Sequence, residues 1–453
     1  MNLGIMGAGY VGLTTAICLA SIGHKTIIYD ISREKTESLK NKNIPFHENG
    51  LDDLFENMIN SKNLIISESI NELVKLTDGC FVAVGTPTVK DAIDLSQVVD
   101  STQSLAIEVK KENKTNYEFI VRSTVTPKSC EKIIQKIKNN MGTLEFGFSY
   151  VPEFLREGQA VNDFLNPDKI VIGSNNKKSF LFTNKIFEYF IGKTQFFQTN
   201  LQTAELIKYT NNSFFSMLIS FANEISNISE KIENVDPVEV LKALVADRRI
   251  TTTKNGEKIL PELQSYLIPG CGFGGSCFPK DVKAILNYAQ SLKTKTPLIE
   301  SILEVNEERP NKIISLVEGI LGTLNGKKIS VLGLTFKPNT DDMRSSPSFD
   351  AIKLLNDKNA TVFVYDPVIS EINQEIRKKY DFTLVKSLEE CLDESECAIL
   401  LTSWKEFLSI DAELLKKHMK NPKIIDGRNF LLKEKFEENM YYKIGFVEGK
   451  NNY

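Results

Sequence analysis

The stretch LGIMGAGYVGLTTAICLASIGHKTIIYD, residues 3–30, decides the fold. Leu3 to Met6 is a short apolar run, read as a strand, and it leads directly into Gly7-Ala8-Gly9-Tyr10-Val11-Gly12. A helical pattern follows to Ala20, then Gly23, then a second apolar run from Thr26 to Tyr29 that ends in Asp30. Strand, glycine turn, helix, strand and acid, in that order, mark an open parallel sheet with a dinucleotide at its first turn. Gly7, Gly9 and Gly12 let the backbone approach a pyrophosphate at the positive end of the helix, and Asp30 is placed to hold a ribose diol. A carboxylate there repels a 2′-phosphate, so NAD is expected in preference to NADP. Lys35, five residues on, reads either as a contact on the adenosine side or as a solvated surface lysine.

Working outward, Cys80 to Val84 and Ile120-Val121 are further strands, followed by Gly85-Thr86-Pro87 and Arg122-Ser123-Thr124. Ligands of an open sheet bind at the carboxyl ends of its strands, where Thr86 and Thr124 lie, although both residues are also ordinary turn chemistry. In Tyr150-Val-Pro-Glu-Phe-Leu-Arg-Glu-Gly158, a helical turn after Pro152 would put Glu153 and Glu157 on one face. Asn166-Pro167 and the strand-like Ile170 to Ile172 continue the first domain to about residue 200.

From Gln202 to about Glu233 a long helical pattern without Gly or Pro carries an apolar stripe that includes Ala204, Ile207, Phe214, Leu218 and Phe221. Lys208 and Asn212 stand one turn apart beside it, either as a solvated edge or as donors aimed into a cleft. Lys254 to Ser265 is polar and reads as a loop, and helical patterns then run to about Leu321 with breaks at Pro297 and Pro310. Strands restart at Ile329 to Leu332, with others at Thr361 to Tyr365 and Ala398 to Leu401, alternating with helices. The expected fold class is α/β: two Rossmann-like open-sheet domains joined by a central helical region with one long helix, a plan that creates a cleft. The boundaries are 1–200, 201–310 and 311–453.

The chemistry is expected in Tyr266 to Asp281, YLIPGCGFGGSCFPKD, where six of sixteen residues are Gly or Pro. Such a backbone approaches a ligand closely. Cys277, Lys280 and Asp281 bring a thiol, a cation and a candidate base together, as a covalent site requires; the alternative is a turn with a small buried cysteine.

Composition narrows the rest. The 453 residues are 42% hydrophobic and 25% charged, as in globular proteins, and no apolar run reaches the length of a membrane span. The N-terminus lacks the basic flank and cleavage site of a signal peptide, and seven scattered cysteines fit a reducing compartment, so a cytoplasmic location is expected. Three histidines, none beside a cysteine pair, argue against zinc, and a net charge of −4 gives no nucleic-acid footprint.

Taken together, GAGYVG, VGTP, RST, PEFLREG, AELIKYTNN, GFGGSCFPKD and GLTFKPNTDDMRSSP occur in the order found in the UDP-glucose/GDP-mannose dehydrogenase family. The chain resembles that family over essentially its whole length, most closely the UDP-glucose branch. The resemblance implies oxidation of a sugar C6 alcohol to a carboxylate with two NAD per turnover, UDP-glucose giving UDP-glucuronate. It makes Cys277 the nucleophile, passing through a thiohemiacetal and a thioester. Lys208 and Asn212 would stabilise the oxygen at C6, while Asp281, Glu153 and Thr124 would handle the proton and the hydrolytic water. It assigns Val11, Asp30, Lys35, Thr86, Thr124, Glu157, Lys280 and Arg344 to NAD. The nucleotide sugar receives Glu153, Phe154, Leu155, Arg156, Glu157, Lys208, Asn212, Tyr266, Leu267, Ile268, Pro269, Gly270, Gly274 and Lys337. Arg249 matches a family arginine that reaches into the partner subunit's site, which implies at least a homodimer.

Two departures stand out: Thr251 where the family has Gly, and Glu48-Asn49-Gly50 where it has acid-proline-glycine, read as a loop change. Ser276 occupies the place of a histidine typical of the 2-acetamido-sugar branch, which leaves GDP-mannose as the nearer rival substrate. Two more distant readings are a two-electron hydroxy-acid dehydrogenase and a silent NAD-binding regulator. Two, one or no NADH per sugar separates the three classes.

Overall fold

The computed structural model describes residues 1–89, 92–255 and 257–448. Gly256 of the expected loop and residues 449–453 of the expected third domain lie outside them. Two units are distinguished, residues 1–211 with 287–293, and residues 212–286 with those from 294 onward.

The first unit is built on an eight-stranded sheet in the order Gln195–Thr199, Lys169–Gly173, Phe146–Tyr150, Tyr117–Val121, Gly79–Val82, Asn2–Met6, Lys25–Tyr29, Leu64–Ile66. Neighbours are parallel except where Tyr150 meets Gly173, so the two strands beyond that point run against the rest. Alternate residues enter separate cores. Leu3, Ile5, Ile28 and Ile120 are buried on one face, and Ile27, Phe119 and Val121 on the other. Burial on both faces is why these strands read as unbroken apolar runs.

The second unit holds a six-stranded, wholly parallel sheet, ordered Thr383–Leu384, Thr361–Tyr365, Lys328–Leu332, Cys397–Leu400, Ile424–Asp426, Tyr441–Lys443. Its first corner repeats the chemistry of residues 3–30. The Gly333 N–H donates to Tyr365 O at 2.8 Å, as Gly7 does to Tyr29 O, and Asp366 stands where Asp30 does. Asp366 is buried: its Oδ2 accepts from the Leu334 N–H (2.7 Å), the Thr335 N–H and hydroxyl, and Trp404 Nε1. The helices Leu201–Ser229, Pro237–Val245, Phe278–Ser291 and Pro297–Leu321 complete the expected α/β architecture with its helical middle.

Four local expectations are corrected. The long helix ends at Ser229, short of Glu233. Helix Pro297–Leu321 continues through Pro310, because Ile302, Leu303, Ile313, Ile314 and Val317 are buried on both sides of it and their packing offsets the lost backbone bond. The Lys254–Ser265 segment is not simply a loop: Thr252–Lys254 pairs antiparallel with Glu257–Ile259, and a 3₁₀ turn spans Glu262–Tyr266. Asn255, at φ +54°, turns the hairpin, a common use of Asn before Gly. No helical turn follows Pro152, because Glu153 accepts the Leu155 N–H at 2.7 Å and fixes the segment in an irregular path.

Candidate active site

In the first unit, the glycine turn has the shape a dinucleotide needs. Gly7 has φ +107°, and an added Cβ would lie 2.5 Å from Ala83 O. A Cβ on Gly12 would lie 1.9 Å from Gly7 O, whereas Gly9 faces open space. Helix Tyr10–Ser21 starts there without a side-chain cap, so its first N–H groups suit a pyrophosphate. The Ala8 N–H donates to Asp30 Oδ2 (2.7 Å) and the Ser32 N–H to Oδ1 (2.8 Å), fixing the carboxylate, with Lys35 Nζ 3.8 Å away. Val11, Thr86 and Thr124 are half-buried, the two threonines just beyond adjacent parallel strands. These residues fit NAD: the turn would hold its phosphates and Asp30 a ribose.

Glu153 and Lys208 form a buried pair, their side chains 6% and 3% exposed. Lys208 Nζ donates to Glu153 Oε1 at 2.9 Å and to the Glu153 carbonyl at 2.7 Å. Burial alone would raise the Glu153 pKa, but the Lys208 charge and the bonds to the carboxylate hold it below the usual value. The solvated-edge reading of Lys208 is therefore excluded. Lys208 Nζ also lies 5.4 Å from the centre of the Phe154 ring. Arg156 grips Asp163 through Nε and Nη2 (3.0 and 2.7 Å), and Leu155 and Glu157 are half-buried.

Glu48, treated in the sequence as part of a loop change, is a buried anchor. It accepts the Tyr10 hydroxyl, the Gly158 N–H (2.6 Å) and the Ala160 N–H (2.9 Å), and Asn49 Nδ2 donates to Gly158 O (3.0 Å). It thus ties the glycine turn to the end of the Glu153–Glu157 segment. The acid in the expected acid-proline-glycine motif was the available signal.

In the second unit, Cys277 is half-buried and directly precedes helix Phe278–Ser291; the Asp281 N–H donates to its carbonyl at 2.8 Å. Ser276 Oγ lies 3.5 Å from the sulfur. Asp281, only 1% exposed, pairs with Lys280 Nζ through Oδ1 (2.5 Å) and accepts Asn212 Nδ2 at Oδ2 (2.6 Å). Cys277, Lys280, Asp281 and Asn212 are thereby brought together.

The loop before the cysteine is pinned along its backbone. Asn223 Oδ1 accepts the Gly270 N–H (2.8 Å), Arg309 Nε donates to Gly270 O (2.9 Å), and Asn306 bonds both polar groups of Phe273. Arg428 donates to Gly272 O (3.0 Å), Phe336 O (3.1 Å) and Leu401 O (2.6 Å). Sequence reading missed Arg428, in Asp426-Gly-Arg-Asn at the end of a strand, although that position was its signal. Gly274 is required by contact: an added Cβ would lie 2.2 Å from Ser345 O.

The remaining candidates lie around this loop or at the surface. Tyr266 packs on Phe215 with ring centres 4.6 Å apart, Leu267, Pro269 and Gly270 are buried, and Ile268 is exposed. Lys337 Nζ is 5.5 Å from the Phe336 ring centre, and exposed Arg344 pairs with Asp342 at 2.8 Å. Arg249, 85% exposed, forms a local pair with Asp247.

Comparison with known proteins gives three successive matches to one family: its NAD binding domain at residues 1–191, its central domain at 202–308 and its UDP binding domain at 330–433. The chain is 36% identical to a UDP-glucose 6-dehydrogenase of Rickettsia bellii, covering 98% of this chain and 99% of that protein. It is 35% identical to UDP-glucose 6-dehydrogenase TuaD of Bacillus subtilis, over 98% and 93%. A solved UDP-glucose dehydrogenase from Pyrobaculum islandicum superposes with a TM-score of 0.89 at 31% identity, covering 98% of each chain. The chain belongs to the UDP-glucose/GDP-mannose dehydrogenase family.

Proposed function

We propose that the protein oxidises the C6 alcohol of UDP-glucose to the carboxylate, giving UDP-glucuronate, with Cys277 as covalent nucleophile. The observation that carries this reading is the setting of Cys277: a residue at the start of a helix, after a loop held by its backbone, its carbonyl bonded to the N–H of Asp281, which pairs in turn with buried Asn212 and half-buried Lys280. The relatives named for UDP-glucose and the match to a UDP binding domain support the choice of substrate.

NAD, when bound, supplies the hydride acceptor for both oxidations. The alcohol first loses a hydride and a proton, giving the aldehyde. The Cys277 sulfur adds to the aldehyde carbon, and the resulting thiohemiacetal loses a second hydride and proton to become a thioester. Water then adds, the C–S bond breaks and the thiol is regenerated. The sum is one alcohol, two NAD⁺ and one water giving a carboxylate, two NADH and three protons. Lys208, held in place by Glu153, and Asn212, held by Asp281, serve as donors to the oxygen at C6. Glu153, Asp281 and Thr124 manage the protons and the water.

We read the chain as a cofactor part (1–200), a central part (201–310) and a UDP-sugar part (311–453), a division supported by the extents of the three family matches. A homodimer is supported by exposed Phe214, Phe221 and Ile228, which recur every seven residues along one face of the long helix, and by the accessibility of Arg249. No helix among the described residues is long and apolar enough to cross a membrane.

The test is Cys277→Ala with UDP-glucose, GDP-mannose, UDP-galactose and UDP-N-acetylmannosamine as substrates of the parent. Two NADH per UDP-glucose are expected from the parent, and loss of sustained acid formation from the variant. Sustained formation of two NADH per sugar by Cys277→Ala near the parent rate would exclude the covalent role.

A further inference from the structure

Asn306 sits on helix Pro297–Leu321, 33 residues from Phe273 in sequence, and its amide meets both polar groups of that residue. Oδ1 accepts the Phe273 N–H at 2.7 Å and Nδ2 donates to Phe273 O at 3.1 Å. One side chain thus stands in for the neighbouring strand that this loop lacks. The fit depends on Gly272, at φ +98°, where an added Cβ would lie 2.6 Å from Asn306 Oδ1. The Phe273 ring in turn packs edge-on to Phe278, centres 6.0 Å apart, and Phe278 is bonded in sequence to Cys277. On the other side of Phe273, the Gly275 N–H is held by Arg344 O at 2.8 Å. Phe273 is therefore linked to Cys277 both along a short, pinned stretch of chain and through the aromatic contact with Phe278.

We propose that Asn306 is a positioning residue for the Cys277 thiol, setting its height at the start of helix Phe278–Ser291. This rests on the reading of Cys277 as nucleophile. Asn306 itself touches no reacting atom; it fixes the peptide from which the nucleophile's position follows. A thiolate is favoured at a helix N-terminus only while it remains in register with the free N–H groups, so loosening Phe273 should change thiol reactivity as well as turnover.

The experiment compares Asn306→Ala, Asn306→Asp and, as a control on an exposed position of the same helix, Glu304→Ala. Asn306→Asp preserves volume and the bond from the Phe273 N–H while losing the donor to Phe273 O, so its effect does not come from a cavity; it carries the test should Asn306→Ala fail to fold. Each protein is assayed for kcat and both KM values, and Cys277 alkylation by iodoacetamide is followed by mass spectrometry across pH without substrate. The expected result is a fall in kcat of about 10–100-fold with both KM values within about threefold, the signature of misplacement rather than lost binding. The alkylation profile should move to higher pH by about half a unit or more. Parent kcat and an unchanged alkylation profile in Asn306→Asp, or an effect confined to KM, would overturn the proposal. Cys277→Ala run alongside separates the two ideas: its inactivity together with parent-like Asn306 variants sinks the positioning role alone, whereas its activity sinks the nucleophile and the proposal with it.

Discussion

Replacing Lys208 with Met removes a countercharge and leaves its partner behind. Glu153 is buried and takes two bonds from Lys208 Nζ, one at the carboxylate and one at its carbonyl. Breaking a buried pair from one side costs about 3–5 kcal/mol, because the remaining charge is desolvated without compensation. Arg122, buried in the same unit, still favours the carboxylate, which places the expected loss near the lower end, about 3 kcal/mol. For a unit of this size that corresponds to a fall of about 6–12 °C in Tm. The sign with pH follows from the change in Glu153. In the parent its pKa is depressed, so the stability it contributes is present above the ordinary carboxylate pKa and is lost as pH falls through the lower folded value. Without Lys208, burial dominates and raises that pKa, so the variant's deficit should be largest near neutral pH and shrink as acid supplies the proton. Glu153→Gln added to Lys208→Met should restore most of the Tm, while oxidation remains reduced by about 10²-fold or more through loss of the donor. Thermal melts between pH 5 and 8 on parent, single and double variants provide the measurement. A deficit under about 1 kcal/mol, or one that neither varies with pH nor responds to Glu153→Gln, would refute the assignment of Lys208 and Glu153 as an interdependent buried pair.

Burial lifts the Glu118 carboxyl to about 7 despite bonds from Ser149 and Ser179. The folded state therefore holds a proton that the unfolded chain releases, and stability should fall as pH rises from 4.5 to 7; Glu118→Gln should gain up to about 3 kcal/mol above that window and little below it, read as the difference in Tm across pH. Asp30 should make kcat/KM for NAD well above that for NADP, and comparable values would remove its role in cofactor choice. Mixing Arg249→Ala with Cys277→Ala should restore activity on subunit exchange if Arg249 serves its neighbour; no recovery despite demonstrated exchange would assign it to its own subunit.

The first domain was legible because its signals are local. The turn from Gly7 to Gly12 and the acid at Asp30 sit within one strand-helix-strand unit, and burial on both faces made the strands visible as apolar runs. The reactive loop was legible from its glycines and its Cys277, Lys280 and Asp281. What supports those residues was not. Glu48, Asn306, Arg309 and Arg428 act on backbone groups far away in sequence, and a bond from one side chain to a remote carbonyl leaves no periodicity to read. The same limit explains Pro310 and Glu153. Pattern alone made the proline a break and the acid half of a helical pair, whereas packing carried the helix through one and a buried lysine drew the other out of solvent.

The paired corners at Asp30 and Asp366 show how one piece of backbone geometry can serve two ends. In both, a glycine N–H closes on the preceding residue of the neighbouring strand, and the acid faces the turn. Asp366 is saturated by its own chain, with the indole of Trp404 among the donors to its carboxylate. Asp30 takes two backbone N–H groups and retains acceptor capacity, since a carboxylate offers about four lone-pair sites. The second corner is a keystone and the first a socket. Loss of the carboxylate at Asp366 therefore falls on the integrity of the sheet, whereas the same loss at Asp30 falls on what the turn can recognise.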